Sequence, residues 1–449
     1  MLISRDVSSW LYILIAGSFI FTLLLISRGL DKYGKPNHLS QPSMLVDSQH
    51  PSLHGRINRP VLANQTDSRH IHNIEPLPPK TFSPKSENLQ LFSLDEASWM
   101  RESIESEKTR IKQVLADFEF EDGRSLEEHQ LINGGQPVRA LVTTTWRSGS
   151  TFLGDIMLSH PATYYHYEPL LHFDIRQARS GYLAQEGVRT LKDLMNCNYT
   201  NLDNYLKYGK THLHLFSHNS RLWKYCTSQG KEYHQSTCWS PAFLNRFCPL
   251  FPFQSIKAVR LRLGLTRELV EDASLNVRVL LLVRDPRGTM ESRKHRDWCP
   301  GNPDCEDPKK LCEDLESDYY AYKALLQTYP DRYRMVRYED FSMDPYNNTV
   351  NVFRYFRFSM HKRVEQFLNS HTTTNIGGVS STFRDSKTAP FMWKERLTRE
   401  EVYNIQDSCS QAMNLWGYNL LTDEDDLRDL EPVKNLGDFS LDILKNPPK

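Results

Sequence analysis

A short apolar segment that leads directly into a polar loop and then a helix is the feature that most restricts the fold of this chain. Residues 138–145 (VRALVTTT) are apolar and β-branched, the loop WRSG follows, and residues 150–160 have the composition of a helix. A continuous apolar run of this length predicts a strand that is buried on both faces. The segment therefore predicts a sheet strand with a helix packed behind it.

Further segments continue this alternation of strands and helices. A helix is predicted at residues 266–273 (TRELVEDA). Strands are predicted at residues 162–170, 256–261, 277–283 and 334–341. Short apolar strands alternating with helices are typical of a parallel central sheet with helices on both faces, so we expect an α/β fold.

The first residues of the chain predict a membrane anchor. Residues 7–27 contain no charged residue, and a helix of that length would be about 30 Å long, the thickness of a bilayer core. We interpret them as a transmembrane helix behind a cytoplasmic tail of residues 1–6; a cleaved signal peptide or a buried helix are the alternatives. The positive-inside rule alone favours the opposite orientation, because Arg28, Lys32 and Lys35 follow the segment.

Composition divides the rest of the chain into further parts. Residues 28–92 are polar and punctuated by proline, which predicts a flexible luminal stem. Residues 93–136 open with a capping-box pattern (SLDE) and predict a helical lead-in to the main domain at 137–425, with a C-terminal tail at 426–449. Within that domain, residues 180–250 are aromatic and poorly periodic and are interpreted as an insertion of the kind that often forms a substrate-binding surface.

Glycosylation sequons and cysteines indicate the secretory pathway. Sequons begin at Asn64, Asn198 and Asn347, and each is glycosylated only if the C-terminal part of the chain is luminal. All eight cysteines lie beyond residue 190, and clustered cysteines in an oxidising lumen usually form disulfides. A zinc site is the less favoured alternative, because no tight C-x2-C knuckle is present. The disulfide pairing and the occupied sequons stay open.

The charge balance excludes one class of function. The chain has 55 basic and 55 acidic residues, so its formal net charge is +0. It therefore lacks the global basic field that marks proteins that bind nucleic acid. An anion-binding site in this chain must be built locally, from a few side chains.

The loop after the first strand has the features of such a local site. A loop between a buried strand and a helix presents backbone N–H groups and the positive end of the helix dipole. Gly149 permits a tight path, Arg147 supplies charge, and hydroxyl groups are added by Ser148, Ser150 and Thr151. A capped helix start with a solvated arginine is the alternative. The loop lacks the lysine of a nucleoside-triphosphate loop, which argues against an NTPase.

A second strand and helix predict a second anion site. Strand 277–283 is followed by Arg284, then by Asp285, a good N-cap, and by Pro286, which suits the first helical position. Because Arg284 and Ser292 lie on one face of that helix, we expect them to converge on one anion. The strand ends in arginine where a magnesium-binding strand would end in aspartate, so this site suits a phosphate.

Together these segments resemble the Golgi carbohydrate sulfotransferases. The sequence TTWRSGSTFL is similar to their phosphosulfate-binding loop, and LLLVRDPRGTMESR is similar to their 3′-phosphate-binding segment. YEDF (338–341) and the distal segment from FRDSK to LWGY also match, so the resemblance covers about residues 137–420. The group that resembles this chain most modifies the 6-hydroxyl of galactose, N-acetylgalactosamine or N-acetylglucosamine.

This resemblance implies a donor, 3′-phosphoadenosine 5′-phosphosulfate (PAPS), and no metal. The sulfuryl group carries less charge than a phosphoryl group, which reduces the need for a cation. Arg147 is suited to neutralise the leaving oxygen, Arg284 and Ser292 to hold the 3′-phosphate, and Lys387 to close over the nucleotide. The implied phosphosulfate-binding loop consists of Arg147, Ser148, Gly149, Ser150, Thr151 and Phe152.

The acceptor hydroxyl also needs a general base. Glu168 stands where several glycan sulfotransferases place their catalytic glutamate, and His166 and His172 are its rivals. Cytosolic sulfotransferases carry a lysine at the position of Arg147. Because arginine does not readily donate a proton, protonation of the leaving group is left without a candidate.

The sequence therefore predicts a single-pass type II Golgi membrane enzyme with a luminal catalytic domain. It would transfer sulfate from PAPS to a sugar hydroxyl of a glycoprotein or proteoglycan glycan, and no nucleic-acid partner is expected. A PAPS- or glycan-binding protein without catalysis is the main alternative. A small-molecule kinase, which would use ATP with magnesium, is the other.

Overall fold

The computed structural model describes residues 94–227, 237–373, 382 and 384–434. The predictions for the tail, the anchor, the stem and Asn64 lie outside these residues, as does the C-terminal tail beyond residue 434. Within the described ranges, no helix has the length and apolar character needed to cross a membrane.

The core of the fold is a five-stranded sheet in which every adjacent pair of strands is parallel. The strands are β1 (Val138–Thr143), β2 (Thr163–Tyr167), β3 (Phe253–Ala258), β4 (Val277–Val283) and β5 (Tyr333–Arg337). They lie in the order β2-β3-β1-β4-β5, and all residues of β1, β3 and β4 are buried. The predicted parallel α/β sheet is thus confirmed.

Helices connect and cover these strands. The first is α1 (Leu94–Val114), which packs on the insertion through Trp99 and Phe243, whose ring centroids are 4.9 Å apart. The others, in chain order, are α2 (Ser150–Ser159), α3 (Gly181–Met195), α4 (Asp203–Thr211), α5 (His214–Ser217), α6 (Ser220–Cys226), α7 (Pro241–Phe247), α8 (Arg267–Glu271), α9 (Pro286–Lys294), α10 (Pro303–Glu306), α11 (Pro308–Thr328), α12 (Tyr338–Met343), α13 (Pro345–Phe356), α14 (Lys362–His371), α15 (Trp393–Arg396) and α16 (Arg399–Leu415).

Two strands differ from the sequence prediction. The strand expected over 256–261 is β3, which begins at Phe253 and ends at Ala258. The strand expected over 334–341 ends at Arg337, because Tyr338–Met343 forms α12. Glu339 in its first turn is buried and accepts a hydrogen bond from the backbone N–H of Asp285 at 3.0 Å, a contact invisible in the sequence. The described residues of the insertion at 180–250 contain the helices α3 to α7.

All eight cysteines form disulfides, as predicted. The pairs are Cys197–Cys248, Cys226–Cys238, Cys299–Cys305 and Cys312–Cys409. The first two hold the helices of the insertion together, and the last joins α11 to α16. Their formation removes the zinc alternative for these cysteines.

Candidate active site

A cavity of about 1390 Å³ lies at the carboxyl ends of the strands. β1 lies where the strand order changes direction, and ligands of open parallel sheets bind at such a point. Every strand contributes lining residues just beyond its end: Trp146 and Arg147 after β1, Tyr167 and Glu168 at β2, Val259 and Arg260 after β3, Arg284 after β4, and Tyr338 after β5.

The loop after β1 is held in an unusual backbone path. Arg147 and Gly149 have positive φ angles of 67° and 86°. A Cβ atom on Gly149 would lie 2.3 Å from the ring of Tyr338, so both the backbone angle and the packing require glycine there. The buried Arg293 holds the residues at the start of this loop, because it donates hydrogen bonds to the carbonyl oxygen of Trp146 at 3.3 Å and to the Thr145 hydroxyl at 2.7 Å.

The two predicted anion-binding segments meet in this cavity. Arg147 Nε donates a hydrogen bond to Ser292 Oγ at 3.0 Å, and Arg284 Nη1 donates to the carbonyl oxygen of Arg147 at 2.7 Å. Asp285 caps α9 by accepting from the N–H of Arg287, and proline occupies the first helical turn, as the sequence predicts. The loop after β1 and the start of α9 thus form one continuous cationic surface.

Most of the predicted loop residues line the cavity, namely Arg147, Gly149, Ser150, Thr151 and Phe152. Ser148 is buried and does not line it. Within the described ranges, Ser148 Oγ and Arg284 Nε are buried and have no hydrogen-bond partner. Buried donors of this kind fit an anionic ligand that would complete their hydrogen bonds.

Lys387 is placed differently from the other predicted residues. Its side chain is exposed and does not line the cavity, whereas the neighbouring Arg384, Ser386 and Thr388 do. Of these three, Arg384 carries the positive charge on the cavity side of this segment.

The cavity carries an excess of positive charge although the chain as a whole is neutral. Its acidic lining residues are Glu168, Asp174 and Glu291, and its basic ones are Arg147, Arg260, Arg284, Lys294, Arg296, Arg384 and Arg396. Burial, Arg296 and Arg284 lower the pKa of Arg147 to about 10, so Arg147 stays protonated at neutral pH. The positive charge is thus concentrated locally at this cavity, as an anion site in a neutral chain requires.

Glu168 lies at the end of β2 with its carboxylate in two ion pairs. Its Oε1 accepts from Lys257 Nζ and its Oε2 from Arg260 Nη1, both at 2.8 Å. Burial opposes its ionisation, but the charges and hydrogen bonds of Lys257 and Arg260 outweigh it and lower the pKa of Glu168 to about 2. Glu168 is therefore a carboxylate at every physiological pH.

The two rival histidines do not line the cavity. His166 is buried with its Nε2 2.8 Å from the Tyr199 hydroxyl, and burial lowers its pKa to about 3. Burial likewise lowers the pKa of His172. Of the three candidates, only Glu168 faces the space where a substrate would lie.

Several residues of the site were not identified from the sequence. Lys257 at the end of β3 contacts Thr151 Oγ1 at 3.3 Å as well as Glu168, and so links the loop to the carboxylate. A lysine inside an otherwise buried strand was the available signal. Arg260 follows β3 and also lines the cavity, but its contact with Glu168 depends on the order of the strands. The insertion histidines that line the cavity gave no signal because their positions depend on how the insertion folds. In the ranges described, no cluster of three or more His, Cys, Asp or Glu side chains is arranged to hold a metal ion.

The fold and the site together define an α/β protein with a cationic cavity at the carboxyl edge of a parallel sheet. Residues 140–362 match the model of the sulfotransferase family. Over these residues the chain contains a sulfotransferase-family domain, and its curated relatives are carbohydrate sulfotransferases.

Individual relatives match most of the globular part of the chain. Mouse carbohydrate sulfotransferase 5 is 26% identical over 341 residues, which is 66% of this chain and 84% of that protein. Human carbohydrate sulfotransferase 1 is 26% identical over 340 residues, 66% of this chain and 83% of that protein. Among solved structures, the sulfotransferase domain of the Synechococcus PCC 7002 olefin synthase aligns with 60% of this chain and 94% of its own, at 14% identity and a TM-score of 0.32.

Proposed function

We propose that this protein transfers sulfate from PAPS to the 6-hydroxyl of N-acetylglucosamine, galactose or N-acetylgalactosamine in a glycan. The observation that carries the proposal is the hydrogen bond from Arg147 to Ser292, which joins two cationic segments at one cavity. PAPS is an anion at both ends of one nucleoside, so two adjacent cationic segments suit it. A carbohydrate acceptor is supported by the relatives of this chain, which are carbohydrate sulfotransferases.

Roles for the individual residues follow from their positions. Arg147 and the backbone N–H groups at the start of α2 would neutralise charge on the phosphosulfate, with Ser148, Gly149, Ser150, Thr151 and Phe152 forming the loop around it. Arg284 and Ser292 would hold the 3′-phosphate. Lys387 was proposed to close over the nucleotide, but Arg384 is better placed for this role because it lines the cavity.

Glu168 is proposed as the general base. It would accept the proton of the sugar hydroxyl while the new O–S bond forms and the bond from sulfur to the phosphate oxygen breaks. With a pKa of about 2 it is a weak base. A weak base suffices because the sugar hydroxyl becomes strongly acidic as its oxygen attacks sulfur. Until that proton is transferred, Lys257 stabilises the ionised carboxylate of Glu168.

The protein is proposed to act in the Golgi lumen, anchored by residues 7–27. Support comes from four disulfides, which form in an oxidising compartment. Asn347 is exposed and Asn198 half-buried in the fold. Removal of N-glycans by a glycosidase should increase the gel mobility of the cell-expressed protein, and unchanged mobility would count against the luminal placement.

An acceptor screen tests the proposed activity. Full-length protein in detergent would be incubated with labelled PAPS and glycans ending in galactose or a hexosamine, and the sulfated position identified by linkage analysis. Sulfate at a 6-hydroxyl supports the proposal. PAPS binding without transfer to any acceptor would instead identify a non-catalytic binding protein, and magnesium-dependent consumption of ATP would identify a kinase.

A further inference from the structure

One side of the cavity is built from rings rather than from cations. Tyr208, His212, His214 and His218 all line it, and we call these four residues the ring wall. They come from α4, α5 and the turns on either side of α5, all within the insertion. The nucleotide-side segments contribute none of them.

The rings are held in fixed orientations. Tyr208 and His212 stack with centroids 3.8 Å apart and planes 3° apart. His218 stacks on Tyr167 of β2 at 3.8 Å and 9°, and His214 meets His212 edge to face at 6.2 Å. Rings fixed in this way offer a preformed apolar surface whose ordering costs little on binding.

The ring wall faces Glu168. His218 stacks on the ring of Tyr167, the residue that precedes Glu168, and Lys257 Nζ, which pairs with Glu168, lies 3.9 Å from the centroid of the same ring. A ligand resting on these rings would therefore lie beside the carboxylate that is proposed to take its proton.

The charged side chains on this side of the cavity have a net charge of zero. Lys257 and Arg260 are balanced by Glu168, which they contact, and by the exposed Asp174. Burial, together with the charge of Lys257, lowers the pKa of His218 to about 4, so its imidazole is neutral in a mildly acidic lumen. An uncharged ligand with hydroxyl groups can hydrogen-bond to neutral imidazole and tyrosine groups without losing an ionic partner.

We propose that the ring wall is the acceptor subsite and binds an uncharged pyranose, a hexose or an N-acetylhexosamine, with its reacting hydroxyl towards Glu168. This inference rests on the proposed function and deepens it by naming the side chains that hold the reacting sugar. The apolar face of the pyranose packs on the rings, and its hydroxyl groups bond to the imidazoles and the tyrosine hydroxyl.

Binding measurements test this inference without requiring turnover. The affinity of the full-length protein in detergent for N-acetyllactosamine and for a glucuronic-acid-terminated disaccharide would be measured by saturation-transfer NMR. Tyr208→Ala and His214→Ala should each raise the dissociation constant for N-acetyllactosamine about tenfold. Binding of adenosine 3′,5′-bisphosphate, measured in parallel, should be unchanged and shows that the variants are folded.

Matched controls come from the same insertion. Leu213 lies between two wall histidines but is 42% exposed, and Tyr182 of α3 is 70% exposed; neither lines the cavity. Leu213→Ala and Tyr182→Ala should leave both affinities unchanged.

The inference would be overturned if the wall variants kept the wild-type affinity for N-acetyllactosamine, or if they lost affinity for the nucleotide to the same extent. Preference of the wild type for the uronic acid disaccharide would overturn it as well. Absence of measurable N-acetyllactosamine binding by the wild type would also overturn it. Sugar binding that depends on the wall, without any transfer from PAPS, would refute the proposed function and leave the subsite intact.

Discussion

Replacing Glu168 by glutamine should affect stability and catalysis in different measurements. The fall of its pKa from an ordinary 4.5 to about 2 corresponds to about 3 kcal/mol of stability, at about 1.4 kcal/mol per pKa unit. Glutamine would leave Lys257 and Arg260, whose side chains are 1% and 3% exposed, buried without their carboxylate. Loss of one partner of a buried pair typically costs about 3–5 kcal/mol, which agrees with this value.

The pH dependence of this difference has a definite sign. Because folding lowers the pKa of Glu168, its contribution is fully present above about pH 4.5 and disappears as the pH falls towards about 2. Denaturant unfolding of wild type and Glu168→Gln should therefore differ by about 3 kcal/mol near pH 7, and by progressively less below about pH 4.5. Glu313→Gln, which breaks a surface pair with Lys310, is the control and should show no measurable change.

The same variant tests the proposed base. In Glu168→Gln, kcat should fall by about 10²- to 10⁴-fold, while binding of adenosine 3′,5′-bisphosphate is retained. Equal stability of wild type and variant at neutral pH would refute the ion-pair account. A kcat within about threefold of wild type would refute the role of general base, whatever the stability.

Two further predictions concern the donor side of the cavity. Gly149→Ala should raise the KM for PAPS by about tenfold or more, because the new Cβ would lie 2.3 Å from the ring of Tyr338. Gly134→Ala is the matched control. Its φ of 77° imposes the same backbone strain, but its new Cβ would meet no atom within 4 Å. If both variants bind PAPS equally, the contact with Tyr338 is irrelevant to the loop. Ser292→Ala removes the acceptor of the hydrogen bond from Arg147. It should raise the KM for PAPS by about 5- to 10-fold with little change in the stability of the protein. An unchanged KM would show that this hydrogen bond does not organise the donor site.

Local sequence patterns predicted the strand and helix that carry Arg284 and Ser292. β4 spans Val277–Val283, as its run of apolar residues around the single Arg278 predicts, and the cap and proline that follow it predict the start of α9. Helical periodicity was then enough to place Arg284 and Ser292 on the same side of the cavity. These inferences needed only residues that are close in the chain.

The opposite side depends on contacts between distant residues and was not predicted. Lys257 reaches Glu168 only because β2 and β3 are neighbours in the sheet, an order that the sequence does not specify. His214 and His218 reach the cavity through helices whose arrangement is fixed by disulfides and packing, so local sequence patterns did not identify them as site residues. For the same reason the buried contacts of Glu339 were missed and its segment was predicted as a strand.

Transfer of labelled sulfate from PAPS to N-acetyllactosamine is the most direct test of the central claim. The assay would use full-length protein with a metal chelator present, and would compare the wild type with Arg147→Ala and Glu168→Gln. We expect 6-O-sulfated product from the wild type and a large loss in both variants. Failure of the folded wild type to sulfate this or any other neutral glycan, or full activity of both variants, would contradict the account.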